Sequence, residues 1–249
     1  SDAVRTLLPI WRADAGNRGL VASVRRLSAQ PGLSVLPGIE YPATNASFSE
    51  VVRSAVGMLA QCAEGKTAIY LAAFDEIVDL FHAAQPEPLL SGLRWYGSDG
   101  VALSAALAGD SNAADYARRV RYVAPTLGLP DRARAIWEPI SREVRETAGV
   151  DADAFAMAAV DAYWCALFAS LTAGTPDLPA WRTAFANTAE FFFGATGWGT
   201  LNAAGDRRFG DFDFWALREV SGKTAWVRVL RYEAHTWGGG TLVNLEVSK

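Results

Sequence analysis

The sequence is poor in the residue types that most often carry chemistry. Among its 249 residues there are two cysteines, Cys62 and Cys165, and two histidines, His82 and His235. Each cysteine falls in an apolar pattern of helical spacing, so two buried thiols are expected rather than a disulfide or a metal pair. His82 follows Phe81 in a helical stretch and His235 stands in a glycine-rich tail. Neither has a catalytic neighbour in sequence, so satisfied or solvent-facing imidazoles are expected. A Walker loop, a dinucleotide-type glycine fingerprint and a nucleophile elbow are all missing. These absences argue against an enzyme and leave no catalytic residue, metal or cofactor to assign.

Two further absences concern partners. No apolar run approaches the roughly 18 residues needed to span a membrane, and Ser1-Asp2-Ala3-Val4 lacks the basic-then-apolar pattern of a leader, so no signal peptide is expected in this form. The net charge of −4 is spread rather than blocked. Arg25-Arg26 and Arg118-Arg119 read as solvated element ends, and nothing favours a nucleic-acid partner.

What is present is apolar pattern. With 51% hydrophobic residues the chain can bury a substantial core, as one large domain or two modest ones. Residues 6–11 read as a buried strand, and residues 12–17 as a polar turn. A helix carries Leu20, Val21, Val24 and Leu27 until Pro31-Gly32 stops it, and residues 33–39 read as a second strand. Ser47 and Glu50 form a capping-box pattern before an apolar helical stripe that Gly65 ends. Residues 67–72 read as a strand buried on both faces, Phe74-Asp75-Glu76 opens another helix, and residues 93–96 repeat the strand. This βαβα order predicts an α/β fold with a doubly wound parallel sheet, residues 120–123 being its next strand. Pro125 and Pro130 bracket a boundary, after which helices follow one another without strands: 131–148 with a kink at Pro139, one starting at Asp151 and closed by Gly174, and 180–190. The chain then turns strand-like, with turns at Gly205-Asp206 and Ser221-Gly222 and a last strand over 241–247.

The candidate site follows from the strand ends. Arg94-Trp95-Tyr96-Gly97-Ser98-Asp99-Gly100 runs a short strand into a glycine-flanked turn that carries a hydroxyl and a carboxylate. In open α/β sheets ligands sit outside such carboxyl ends. Residues 11–17 and 72–76 form similar loops, so Asp14 beside Ala15 and Gly16, Asp75 beside Phe74, and Asp99 near Tyr96 and Ser98 can line one mouth. Carboxylates beside apolar surface suit a small ammonium-bearing ligand. The competing reading is that Asp14 and Asp75 merely cap helices.

The order of several motifs resembles one family. Pro9-Ile10-Trp11-Arg12-Ala13-Asp14-Ala15-Gly16-Asn17, Tyr41-Pro42, Tyr70-Leu71-Ala72-Ala73-Phe74, Trp95-Tyr96-Gly97-Ser98-Asp99-Gly100, Gly194-Ala195-Thr196-Gly197 and Asn202-Ala203-Ala204-Gly205-Asp206 are similar to segments of the type I periplasmic solute-binding proteins of the leucine/isoleucine/valine-binding kind. The resemblance implies an extracytoplasmic, periplasmic or extracellular protein that closes two α/β lobes over an amino acid or related acid and serves the membrane permease of an ABC uptake transporter. It implies that residues 1–125 and 196–249 form the C-terminal-type lobe. Residues 126–195 would then be the helical part of the other lobe, whose sheet has no counterpart in this chain. Asp99 would pair with the ligand ammonium, Phe74 would contact the ligand, and Asp14-Ala15-Gly16 would match another contact segment, although Gly16-Asn17 stands where the family has an aromatic residue followed by glycine. A ligand-sensing domain of the same fold is the alternative, and an enzyme using Asp14, Asp75 and Asp99 ranks last.

Overall fold

The computed structural model describes residues 4–27, 32–60, 62 and 66–245. The chain divides into two compact units, one of residues 1–126 with 214–228 and one of residues 127–213 with 229–249. It therefore passes between them three times, after Thr126, Asp213 and Arg228.

The first unit opens with strand β1 (Thr6–Arg12), helix α1 (Ala15–Leu27), strands β2 (Ser34–Val35) and β3 (Ile39–Tyr41), helix α2 (Phe48–Leu59) and strand β4 (Thr67–Ala72). Helices α3 (Ile77–Ala84) and α4 (Pro88–Ser91), strand β5 (Arg94–Gly97), a 3₁₀ turn (Asp99–Val101), helices α5 (Ala105–Gly109) and α6 (Ser111–Arg119), and strand β6 (Ala124–Leu127) complete the run. The sheet has the order β2-β1-β4-β5, with β3 also paired to β1, and these pairings are parallel. Where one strand was expected over 33–39 there are two. Gly38 turns the chain with φ +79°, and a Cβ there would lie 2.5 Å from the Pro9 carbonyl, so the edge steps around a proline that has no N–H to offer the ladder.

Side-chain alternation sends Leu8, Ile10, Ile69, Leu71 and Trp95 into one core with Leu80, Phe81 and Tyr116 from the covering helices. Phe81 packs edge-on against both Trp95 and Tyr122 at centroid distances of 5.4 and 5.5 Å. The opposite face buries Trp11 and Ala72 against Val21 of α1. A sheet covered on both faces is what near-continuous apolar strands dictate. Residues 120–123 do not form the expected strand. Val120 closes α6, Arg121 takes a left-handed φ of +52°, and a single parallel bridge joins Val123 to Tyr96 before β6 begins. The capping box at Ser47 is also not made: Ser47 is the N-cap of α2 without a side-chain bond, and the backbone N–H of Glu50 donates to its carbonyl. That helix ends at Leu59, and Gly65 lies outside the described residues.

The second unit begins with α7 (Arg134–Ala148), helical straight through Pro139, then α8 (Ala154–Ala173) and α9 (Leu178–Phe191). α8 starts later than expected because Asp153, not Asp151, accepts the Ala156 N–H at 2.7 Å, while Asp151 pairs with Arg145. α8 also corrects the expectation that no apolar run is long enough: its 20 residues could cross a bilayer by length and composition. Its Asp161, however, accepts the Ala195 and Thr196 N–H groups, each at 2.7 Å, and the Thr196 hydroxyl at 2.6 Å. These bonds tie one face of the helix to a neighbouring loop, while most of the helix stays exposed. The loop belongs to a hairpin of β7 (Phe193–Gly194) and β8 (Gly197–Trp198).

The strands β9 (Phe212–Val220), β10 (Lys223–Ala234) and β11 (Gly240–Asn244) follow, in a sheet of order β11-β10-β9-β6. Ser221 and Gly222, at φ +52° and +75°, make the tight turn between β9 and β10, a pair of left-handed residues matched to strand twist. The expected last strand is present as β11, and residues 246 and 247 of that expectation lie outside the described residues. Within the second unit, buried Arg231 forms a two-bonded pair with Asp213 at 2.8 and 3.2 Å and reaches Asp131 at 3.1 Å, while Arg132 meets Asp211 at 2.9 Å.

Candidate functional site

Parallel register brings three loops to one edge of the first unit's sheet. Trp11 is level with Ala72, and Leu71 with Gly97, so the turns after β1, β4 and β5 leave the sheet side by side. Gly97 is required there: a Cβ would lie 2.0 Å from the buried Tyr122 hydroxyl oxygen. Gly100 is required for another reason, since a Cβ would meet the Ala73 carbonyl at 2.6 Å and the Phe74 ring at 3.0 Å. The Asp99-Gly100 turn therefore rests directly on the Ala73-Phe74 turn.

Asp99 is exposed, and no hydrogen bond or ion pair among the described residues engages its carboxylate. Its charge is felt by Tyr70: burial first, and then the Asp99 carboxylate, push that phenol up to about 12. Phe74 leaves 42% of its surface exposed beside this acid. Ser98 is 2% exposed, its N–H donates to the Leu71 carbonyl, and its hydroxyl has no partner among the described residues. Tyr96 is half-buried, level with Tyr70, with the Arg94 guanidinium 5.4 Å from its ring centre.

The loop after β1 is differently employed. Asp14 accepts the Asn17 N–H at 2.9 Å and the Asn17 side-chain amide at 2.8 Å, which makes it the cap of α1. The Asn17 backbone bond, ahead of the Arg12 charge, holds the Asp14 carboxyl below the usual range. Ala15 and Gly16 are exposed in the first turn of the helix. Asp75 accepts the Ser104 hydroxyl at 2.6 Å, and that hydroxyl in turn caps α5 through the Leu107 N–H. Both acids thus have structural partners, whereas Asp99 has none among the described residues.

Sequence reasoning missed the groups that tie the mouth together. The Arg12 guanidinium lies 5.2 Å from the Phe74 ring centre and contacts Asp14 at 3.6 Å and Glu76 at 3.7 Å. Buried Tyr41, at the end of β3, donates its hydroxyl to Glu76 at 2.9 Å, and burial followed by the Glu76 charge raises its pKa far above the phenol range. An arginine at a strand end before an acidic turn was the available signal, but Phe74 and Glu76 reach it from the loop after another strand. Chemically, the edge offers one unengaged carboxylate, exposed aromatic surface and a clamped guanidinium. Among the described residues, no group of three metal-ligating side chains is found.

No family model and no curated protein matches this sequence. Solved structures do. A leucine-binding protein from Thermotoga maritima aligns over 97% of this chain and 61% of its own, at 16% identity and a TM-score of 0.65. A protein described as a branched-chain amino acid ABC transporter from Rhodospirillum rubrum aligns over 91% and 61%, at 19% identity and a TM-score of 0.64. A solute-binding protein of an ABC transporter from Rhodopseudomonas palustris, solved with 3,4-dihydroxybenzoic acid, aligns over 92% and 61%, at 11% identity and a TM-score of 0.61. The chain thus spans about three fifths of the length of each. Its parallel α/β architecture is that of the type I periplasmic solute-binding proteins.

Proposed function

We propose that the chain is the solute-binding component of an ABC uptake system. In this reading it is an extracytoplasmic protein that takes an amino acid or a related small acid at the sheet edge and presents it to a membrane permease. The observation that carries the reading is the Asp99-Gly100 turn seated on Ala73-Phe74, an unengaged carboxylate beside an exposed ring at the carboxyl end of a parallel sheet. Asp99 takes the ligand ammonium, Phe74 and Tyr96 supply apolar shape, Ser98 offers a hydroxyl, and Asp14-Ala15-Gly16 form the rim. The role is binding and not bond-making, since no activated nucleophile accompanies these groups. Helices α7 to α9 belong to a second lobe whose sheet lies outside this chain, and closure of two lobes over the ligand supplies the affinity that one alone cannot. Binding by this chain alone is therefore weak.

The test is a thermal-shift screen with branched-chain amino acids and small aromatic acids, 3,4-dihydroxybenzoate among them. A true ligand at about 100 times its Kd adds about 2.7 kcal/mol of stability. Asp99→Asn removes a charge-assisted bond of about 1.5 to 3 kcal/mol, so affinity for an ammonium-bearing ligand falls about ten- to a hundredfold. Affinity for an acid without an ammonium should not change. An ammonium-bearing ligand whose binding ignores Asp99, or no stabilisation by any compound, rejects the reading.

A further inference from the structure

A second cavity lies within the second unit, apart from the sheet edge just described. It is an open pocket of about 390 Å³ walled by Phe209, Phe212 and Tyr232, with Arg207 and Arg208 alongside. At its rim Gly238 and Gly239 are both left-handed, at φ +104° and +69°, so two successive rim positions carry no side chain. The guanidinium groups here are engaged to different degrees. Arg132 answers Asp211 at 2.9 Å, and Arg207 answers Asp161 through Thr196, whose hydroxyl bonds to both. Arg208 has only the face of Phe209, 5.2 Å from its guanidinium, and no carboxylate partner among the described residues. Arg207 spends its terminal nitrogens on Thr196 and Trp198, while its Nε is buried with no acceptor.

We propose that this cavity binds a small aromatic carboxylate, with the acid group at Arg207 and Arg208 and the ring between Phe209, Phe212 and Tyr232. A surplus guanidinium draws the negative group, and guanidinium forks match carboxylate geometry. Three aromatic walls favour a planar apolar body over a bare inorganic anion. The site is independent of the sheet-edge reading, since it shares no residue with it.

Sodium benzoate and inorganic phosphate are the probes, followed by amide chemical shifts and calorimetry on the whole chain. Benzoate should bind saturably, shift the Gly238 and Gly239 amides, and weaken as salt rises. Phosphate should bind at least tenfold less tightly. Arg208→Ala, at an exposed position that does not threaten the fold, should lower benzoate affinity at least tenfold. Shifts clustered around Phe74 and Asp99 would overturn the proposal, as would undiminished binding in a folded Arg208→Ala protein, equal affinity for phosphate, or no saturable binding.

Discussion

Tyr122 and Gly97 show how one side chain dictates another residue's identity. The phenol is buried with its hydroxyl unpartnered, and that oxygen occupies the space a Cβ on residue 97 would need. Tyr122→Phe discards a buried hydroxyl that makes no bond and should be neutral or stabilising by up to about 1 kcal/mol in urea unfolding. Gly97→Ala forces carbon into that oxygen and should cost about 1 to 3 kcal/mol. The two should not add: in the Tyr122→Phe background the alanine should cost measurably less, and strict additivity would refute the steric account. At this scale the sequence was partly readable. Turn chemistry alone singled out Asp14, Phe74 and Asp99, because glycine and acid next to an apolar run mark a strand end. It could not distinguish an acid consumed by a cap from one left open, since that depends on whether Asn17 or Ser104 arrives with a donor. Arg12, Tyr41, Tyr70 and Glu76 were invisible because their meeting is a matter of register between separate elements.

Among the elements, α1 depends on its cap. Asp14 binds the N–H of Asn17 and has its carboxyl depressed chiefly by that bond, so the charged form is the one the fold favours. A carboxyl with a folded pKa below its unfolded value stabilises fully above the unfolded value, near 4, and loses that contribution as pH falls through the folded one. Asp14→Ala should therefore cost about 1 kcal/mol at neutral pH, and the gap from the parent should close as pH drops below about 4, as followed by circular dichroism melts. A gap that persists at pH 2 would assign the loss to something other than the charged cap. The strands were the most legible elements: the ends of β1, β4 and β5 fell within one residue of expectation, and in β1 and β4 burial on both faces leaves an uninterrupted apolar run. The failures lie where backbone conformation overrode composition. Gly38 split one expected strand in two, and left-handed Arg121 turned another into a corner. Neither conformation leaves a mark in hydropathy.

For the molecule as a whole, the conspicuous feature is the uncovered surface of α8 and α9. Tyr163 is 65% and Leu171 72% exposed, with Trp164 stacked on Phe168 nearby. Exposed apolar patches beyond a few hundred Å² are places where proteins associate. In isolation the chain should self-associate at micromolar concentration in sedimentation velocity runs, and Tyr163→Lys combined with Leu171→Glu should return it to monomer. A parent that stays monomeric, or a doubly charged variant that associates as strongly, would exclude this face as the cause.

The three passages of the chain between units also set an order in time. Residues 1–126 precede the others, yet their unit is completed only by Phe214–Arg228, and the helical unit only by residues from Val229 onward. Neither unit can be completed while residues 127–213 are being made: the parallel sheet of β1 to β5 already has its strands, but β6 waits for its partner β9. Synthesis and folding run out of step here, since β6 stands with an open edge until β9 has followed it.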